Sequence, residues 1–341
     1  MPSSKELQPL KAPFFPNQFL KNQFRSKPQY PPQDTDLSGK VAIVTGSNTG
    51  LGLECARQIL SYKISRLILA VRTASKGEDA AVKLRKQHPK ATIEVWLLDM
   101  SSYESVQAFA TRAETELPRL DIAILNAGIT GSKFKIVPST GHEEALQVNY
   151  LSTILLAILM LPVLKAKSAS GQPGRLTIVT SMLSITAKFA NKNANPLLPS
   201  FDDKTNFDPM DNYPKTKLLG QLFLWKLTDL VSSDDVIINM VEPGFTKGTE
   251  LQRDAPVAVK AALYLLQAVS ARDVKLAVST YLDAAIVKGK DSHGSILMNW
   301  NIAPYAPFEY TREGREVMNR LWDETMEELE PMCVREILKS L

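Results

Sequence analysis

Between Thr45 and Gly52 the chain carries three glycines in eight residues, Thr45-Gly46-Ser47-Asn48-Thr49-Gly50-Leu51-Gly52. The stretch follows the β-rich run Val41–Thr45 directly and opens a helical pattern over Gly50–Tyr62. One glycine permits a tight turn, one lets the backbone approach a pyrophosphate, and one lets the helix pack against the strand. The free N–H groups at the start of that helix then face negative charge. In this position the turn reads as a dinucleotide site, with Gly46, Asn48, Thr49, Gly50, Leu51 and Gly52 as cofactor-binding residues.

The alternation that begins at Lys40 runs on. Strands are expected at Leu67–Val71, Thr92–Leu98, Ile122–Leu125, Leu176–Thr180 and Val236–Val241, with His293–Met298 as the last. Helices are expected at Lys76–Gln87, Tyr103–Leu117, Glu143–Lys165 and Pro214–Val231. Strands separated by helical stretches imply parallel crossovers, and strands without polar alternation are covered on both faces. The fold class is therefore α/β: a single Rossmann-type, doubly wound parallel sheet over residues 37–300, with an N-terminal arm (1–36) and a C-terminal helical extension (301–341). Ala187–Asn212, with Pro196, Pro199 and Pro209, is too long for a plain connection and reads as a substrate-loop insertion. In the tail, Val317, Leu321 and Trp322 fall on one helical face.

Composition removes several classes. Two cysteines, Cys55 and Cys333, exclude a disulfide framework and a cysteine zinc ribbon. The leader holds five Lys/Arg against three Asp/Glu, leaving 35 against 33 elsewhere, so no basic stripe argues for nucleic acid. His88, His142 and His293 are dispersed without ligand spacing, and no metal is expected. The apolar run Ile154–Leu164 is too short for a bilayer and reads as a buried helix. The leader lacks a signal-peptide core, so a cytoplasmic protein is expected. Its Phe14, Phe15, Phe19 and Phe24 allow two readings, an arm over the fold or peripheral membrane contact.

The end of the second strand selects the cofactor. An NAD site offers an acid there for the ribose 2′-hydroxyl, whereas this strand ends Ala70-Val71-Arg72-Thr73, with Lys76 close behind. Arg72 can grip a 2′-phosphate bidentately and Lys76 adds a second charge, so NADP(H) is expected.

Tyr213-Pro-Lys-Thr-Lys217 places a phenol and an ammonium four residues apart on one helix face, with Pro214 in the first turn and Asp211 or Asn212 as cap. A cation beside a tyrosine favours the phenolate, the form a base needs. Ser181 ends the fifth strand, on the side of a parallel sheet where ligands bind, and can hydrogen-bond a substrate oxygen; Thr180 and Ser184 are its neighbouring rivals.

Taken in order, these motifs resemble the short-chain dehydrogenase/reductase family over roughly Leu37–Met298. The glycine turn, Asp99 after the third strand, Asn126-Ala127-Gly128 after the fourth, Asn149 in the next helix, the Ser181/Tyr213/Lys217 set, and Pro243-Gly244 with Thr246 all match. The resemblance implies Tyr213 as general acid or base and Lys217 as holder of the nicotinamide ribose and depressor of the tyrosine pKa. It also implies Ser181 as polariser of the carbonyl, Asn149 as holder of a relay water, and Asp99, Asn126, Ala127, Gly128, Pro243, Gly244 and Thr246 as cofactor contacts. Between serine and tyrosine 31 residues intervene, where many members have about a dozen. Such an insertion, with Phe201-Asp202-Asp203, resembles the retinol-dehydrogenase-like branch. The leader, Arg72/Lys76 and the Gly244–Thr249 segment are similar to fungal secondary-metabolite reductases. Met182, Leu183, Phe207, Met210 and Phe245 then imply a bulky hydrophobic carbonyl or alcohol as substrate. The pairing helices of the family, here Glu143–Lys165 and Pro214–Val231, imply a homodimer unless leader or tail covers them.

Overall fold

Eight strands form one sheet in the order β3-β2-β1-β4-β5-β6-β7-β8. The structure is a computed structural model that describes residues 2–11, 13–24, 26–248 and 266–341. β1 (Val41–Thr45), β2 (Arg66–Val71), β3 (Thr92–Leu97), β4 (Ile122–Leu125), β5 (Gly174–Val179), β6 (Val236–Glu242) and β7 (Ser295–Met298) run parallel. The expected last strand is not the last: β8 (Asn301–Ala303) turns back antiparallel on β7. Three residues with one apolar side chain between two polar or small ones carry too little pattern to be read as a strand.

Helix α1 (Phe19–Phe24) belongs to the leader. α2 (Gly50–Ser61), α3 (Ala74–Gln87) and α7 (Val274–Leu282) pack one face of the sheet, where Ile59, Leu60, Leu84 and Tyr281 join Val44, Leu67 and Ile124. α4 (Tyr103–Glu116), α5 (Glu144–Lys167) and α6 (Asn212–Leu227) cover the other face. α5 is apolar enough to pass for a membrane span, yet 89% of its most apolar window is buried inside the protein. Two-sided cover explains the unbroken apolar strands. β1 pairs with both β2 and β4, so chain direction switches sides there and leaves a crevice at the carboxyl ends.

The leader is an arm over the fold. Ser4 ties it to β7, accepting from the Ile296 amide at 2.9 Å and donating its own amide to Ser295 Oγ at 3.1 Å. Phe14 and Phe19 are buried against Met182 and Met298, while Phe15 and Phe24 face outward. The insertion is packed rather than open. Phe189, Leu197, Leu198 and Phe201 enter the core, and the amides of Leu197 and Leu198 both donate to Glu324 at 2.7 Å.

The tail forms α8 (Arg312–Glu328) and α9 (Val334–Lys339). Trp322 stacks on Phe223 of α6 at 4.5 Å, and Tyr150 of α5 meets Thr325 at 2.6 Å. Helices α5 and α6, through which a homodimer was expected, are thus partly covered by this chain's own tail.

Candidate active site

The glycine turn has the form a pyrophosphate cradle requires. Gly46 and Gly50 adopt positive φ (63° and 57°), and a Cβ on Gly52 would lie 2.3 Å from the Gly46 carbonyl. Asn48, Thr49 and Gly50 sit half-exposed at the start of α2, and the buried Ser47 hydroxyl has no partner among the described residues. Leu51 instead packs against the core. Arg72 and Lys76 stand exposed at the end of β2 and the start of α3, with no carboxylate partner among the described residues. A dinucleotide with an extra phosphate fits this set.

Other expected contacts also tie the scaffold together. Asn126 donates to the Thr45 carbonyl at 2.9 Å and accepts from the Tyr281 hydroxyl at 3.1 Å, which ties β4 to the turn. The amides of Asn126 and Ala127 both donate to Thr45 Oγ1 at 2.9 Å. Asp99 accepts from the Ser101 amide and hydroxyl at 2.9 and 2.6 Å. Gly128 sits close against this region: a Cβ there would press on Asn149 Oδ1 at 3.1 Å and touch Lys217 Nζ at 3.6 Å.

The residues expected to be catalytic lie close together. Ser181 leaves β5 extended and caps a short 3₁₀ turn (Met182–Thr186), accepting from the Leu183 amide at 3.2 Å. Its side chain stands close enough to the Tyr213 phenol to lower that phenol's pKa, against the effect of burial. Lys217, one turn further along α6, lies 5.7 Å from the Tyr213 ring centre and donates to the Val179 carbonyl at 2.9 Å. Asn149 occupies a π-helical turn (Gln147–Leu151) at the head of α5. It bonds Ile129 at both backbone groups (2.9 and 2.8 Å) and Thr216 Oγ1 at 3.0 Å. Asn149, Thr216 and Lys217 share a cavity of about 10 Å³, room for one water.

Burial pushes the Tyr213 phenol up to about 12, Ser181 opposes that, and the Glu242 carboxylate adds to it. Lys217 itself is pushed down to about 8 by burial. One expectation is corrected, that of the helix cap. The Asp211 side chain does not cap α6; it accepts from the amides of Lys188 and Phe189 at 2.8 and 3.1 Å and so fixes the chain after the 3₁₀ turn.

The loop after β6 closes the far side. Gly244 takes φ 85°, and a Cβ there would lie 2.7 Å from Arg272 Nη1. Thr246 is buried and donates to the Gly244 carbonyl at 2.9 Å; Thr249 lies outside the described residues. Arg272 donates to the carbonyls of Asn22 (2.7 Å) and Pro243 (3.3 Å) and to Asn299. Gln23 donates to the carbonyls of Phe245 at 2.9 Å and Ser270 at 2.6 Å. The arm is thereby clasped to the site, and Phe19 meets Phe245 at 5.9 Å. Met182 is buried beneath it, while Leu183 and Met210 are exposed and Phe207 packs on Phe134 at 5.6 Å.

Three groups were not read from sequence. Glu242 is a buried acid at the end of β6, and its place between an apolar strand and Pro-Gly could have marked it. Arg272 belongs to no motif. His142 binds Asp202 at 2.9 Å and Glu328 at 3.1 Å, joining the segment before α5, the insertion and the tail.

A glycine turn, a switch-point crevice and a Ser/Tyr/Lys set define a dinucleotide-dependent fold, and comparison with known proteins agrees. The family model described as short chain dehydrogenase matches residues 40–193. Short chain dehydrogenase/reductase mfmJ of Annulohypoxylon moriforme is 58% identical over 100% of this chain and 99% of its own length. Short chain dehydrogenase virL of Hypocrea virens is 44% identical over 95% of this chain and 94% of its own. The chain belongs to the short-chain dehydrogenase/reductase family, a family of oxidoreductases, and these relatives are fungal. In fold it is similar to L-sorbose reductase of Gluconobacter frateurii, solved with NADPH and L-sorbose (TM-score 0.57, 20% identity, covering 77% of this chain and 96% of that one). It is also similar to salutaridine reductase of Papaver somniferum (TM-score 0.57, 19% identity, covering 75% and 99%).

Proposed function

We propose that this protein interconverts a ketone or aldehyde and an alcohol on a bulky hydrophobic small molecule, using NADP(H), as a step in fungal secondary metabolism. The observation that carries this reading is the approach of the Ser181 side chain to the Tyr213 phenol, with Lys217 one turn along the same helix and 5.7 Å from the phenol's ring centre. NADP(H) is favoured by the exposed Arg72 and Lys76. An apolar substrate is favoured by the roof of Phe14, Phe19, Phe245 and Met182. Fungal relatives along the whole chain favour the metabolic setting.

The glycine turn would hold the pyrophosphate, Arg72 and Lys76 the 2′-phosphate, and Lys217 the nicotinamide ribose. When bound, the cofactor supplies or accepts the hydride. The chain handles the proton. With its pKa near 12, Tyr213 is a protonated phenol at neutrality and donates to the substrate oxygen in reduction. Ser181 gives a second hydrogen bond to that oxygen as negative charge develops. Asn149 and Lys217 border a water-sized cavity, and a water held there would pass protons toward the phenol through Lys217. The test is a panel of ketones and alcohols with NADPH and NADP⁺, followed by product identification. NADPH binding without turnover of any member would overturn the enzymatic reading in favour of a nucleotide-binding sensor.

A further inference from the structure

Behind Ser181, away from the cofactor turn, lies a second cavity of about 10 Å³ lined by Ser181, Thr180, Ser184, Gln221, Glu242 and apolar side chains such as Ile296. Glu242 and Gln221 are each only 2% exposed. The Gln221 amide is fixed by its own donors, which reach Ser184 Oγ at 2.7 Å and Thr180 Oγ1 at 3.1 Å, and its Oε1 has no partner among the described residues. Glu242 Oε1 accepts from the Gly244 amide at 2.7 Å, while Oε2 has no hydrogen-bond partner among the described residues. Two buried acceptor atoms without a hydrogen-bond partner among the described residues thus border one water-sized space. An alcohol hydroxyl brings one hydrogen, and a water brings two.

We propose that Glu242 and Gln221 together hold one buried water behind Ser181, and that Glu242 is a positioning residue setting the charge against which the Ser181–Tyr213 pair works. The proposal rests on the reading of Tyr213 as the proton donor. Three titratable groups face Glu242: Tyr213 from α6, Tyr281 from α7, and Arg272 from the segment leading into α7. Burial pushes the Glu242 carboxyl up to about 7, against the pull of Arg272 and the amides of Gly244 and Met182. As pH rises past neutrality the carboxyl becomes charged and holds the Tyr213 phenol protonated for longer. The reductive direction gains range on the alkaline side.

Two measurements test this. A high-resolution crystal structure of the wild-type protein should show an ordered water within hydrogen-bond distance of Glu242 Oε2 and Gln221 Oε1, lost in Gln221→Leu; a dry cavity overturns the proposal. Ultraviolet difference titration, with Tyr213→Phe to assign the signal, should show Tyr213 ionising about one pH unit lower in Glu242→Gln. That is about tenfold more phenolate at a given pH. Glu242→Asp should restore the wild-type position, because it keeps the charge, and an unmoved titration in Glu242→Gln overturns the proposed role. Neither readout needs turnover. A shifted titration in a protein that reduces nothing on the panel defeats the functional reading and leaves this one standing, and an unshifted titration in an active enzyme does the reverse. If Glu242→Gln fails to fold, the wild-type and Gln221→Leu crystals still decide.

Discussion

The Lys217 ammonium lies 5.7 Å from the centre of the Tyr213 ring, yet burial governs both groups and moves each away from its charged form. The folded state therefore resists the Lys217 proton. With the folded pKa near 8 against an ordinary 10.5, the cost is fully present below pH 8 and is relieved as pH rises toward 10.5. Lys217→Met should abolish turnover while stabilising the cofactor-free protein by about 3 kcal/mol at pH 7. Thermal denaturation at pH 7 and pH 10 checks both sign and trend, since the gain must shrink at the higher pH.

Tyr213→Phe removes the proton donor and keeps the ring. Turnover should fall by about 10³-fold or more, while NADPH affinity, followed by fluorescence, changes less than about threefold. Ser181→Ala should lower kcat by about 10²-fold, because its hydrogen bond strengthens as charge develops on the substrate oxygen. Full activity in the phenylalanine variant would remove Tyr213 from the mechanism.

Arg72 has no carboxylate partner among the described residues, so its removal leaves no orphaned charge. Arg72→Ala should raise the Michaelis constant for NADPH about 10- to 100-fold and barely change that for NADH, the difference expected for one charge-assisted phosphate contact. An equal effect on both cofactors would assign the extra phosphate elsewhere.

The arm joins the leader to the site through Gln23, Arg272 and the Phe19–Phe245 contact. Phe19→Ala should loosen it, making the leader susceptible to limited proteolysis and raising the Michaelis constant for bulky apolar substrates several-fold. NADPH affinity should hold, because the glycine turn lies at the other end of the crevice. Unchanged substrate constants would show that the roof of Phe14 and Phe19 is scaffold only.

What could be read in advance follows from range. Strands, helices and the glycine turn are local patterns, and seven parallel strands were legible within a few residues. The Ser181–Tyr213 meeting was legible because both sit at carboxyl-end positions of a known sheet type. The Asp211 cap failed because a long-range claim from the amides of Lys188 and Phe189 outcompeted the local one. The upward push on Tyr213 was not legible, because burial depends on what surrounds the phenol in space. Arg272 and the packed insertion are tertiary facts with no periodic trace in the sequence.

His142 carries the last prediction. Burial opposes its charge, but hydrogen bonds to Asp202 and Glu328 outweigh that and raise it from 6.5 to about 9. A raised folded pKa stabilises fully below pH 6.5, and the contribution is lost as pH rises through 9. The magnitude is at most about 3 kcal/mol, less whatever water screens at this partly buried site. His142→Gln should lower the melting temperature clearly at pH 6 and much less at pH 9.5. Lys217 is present in both proteins and its opposite trend cancels in the difference. Because Asp202 lies in the insertion and Glu328 at the end of α8, the same variant should expose the tail to protease at pH 6. A difference in melting temperature that stays constant from pH 6 to 9.5 would mean that the imidazole is neutral there and merely hydrogen-bonded.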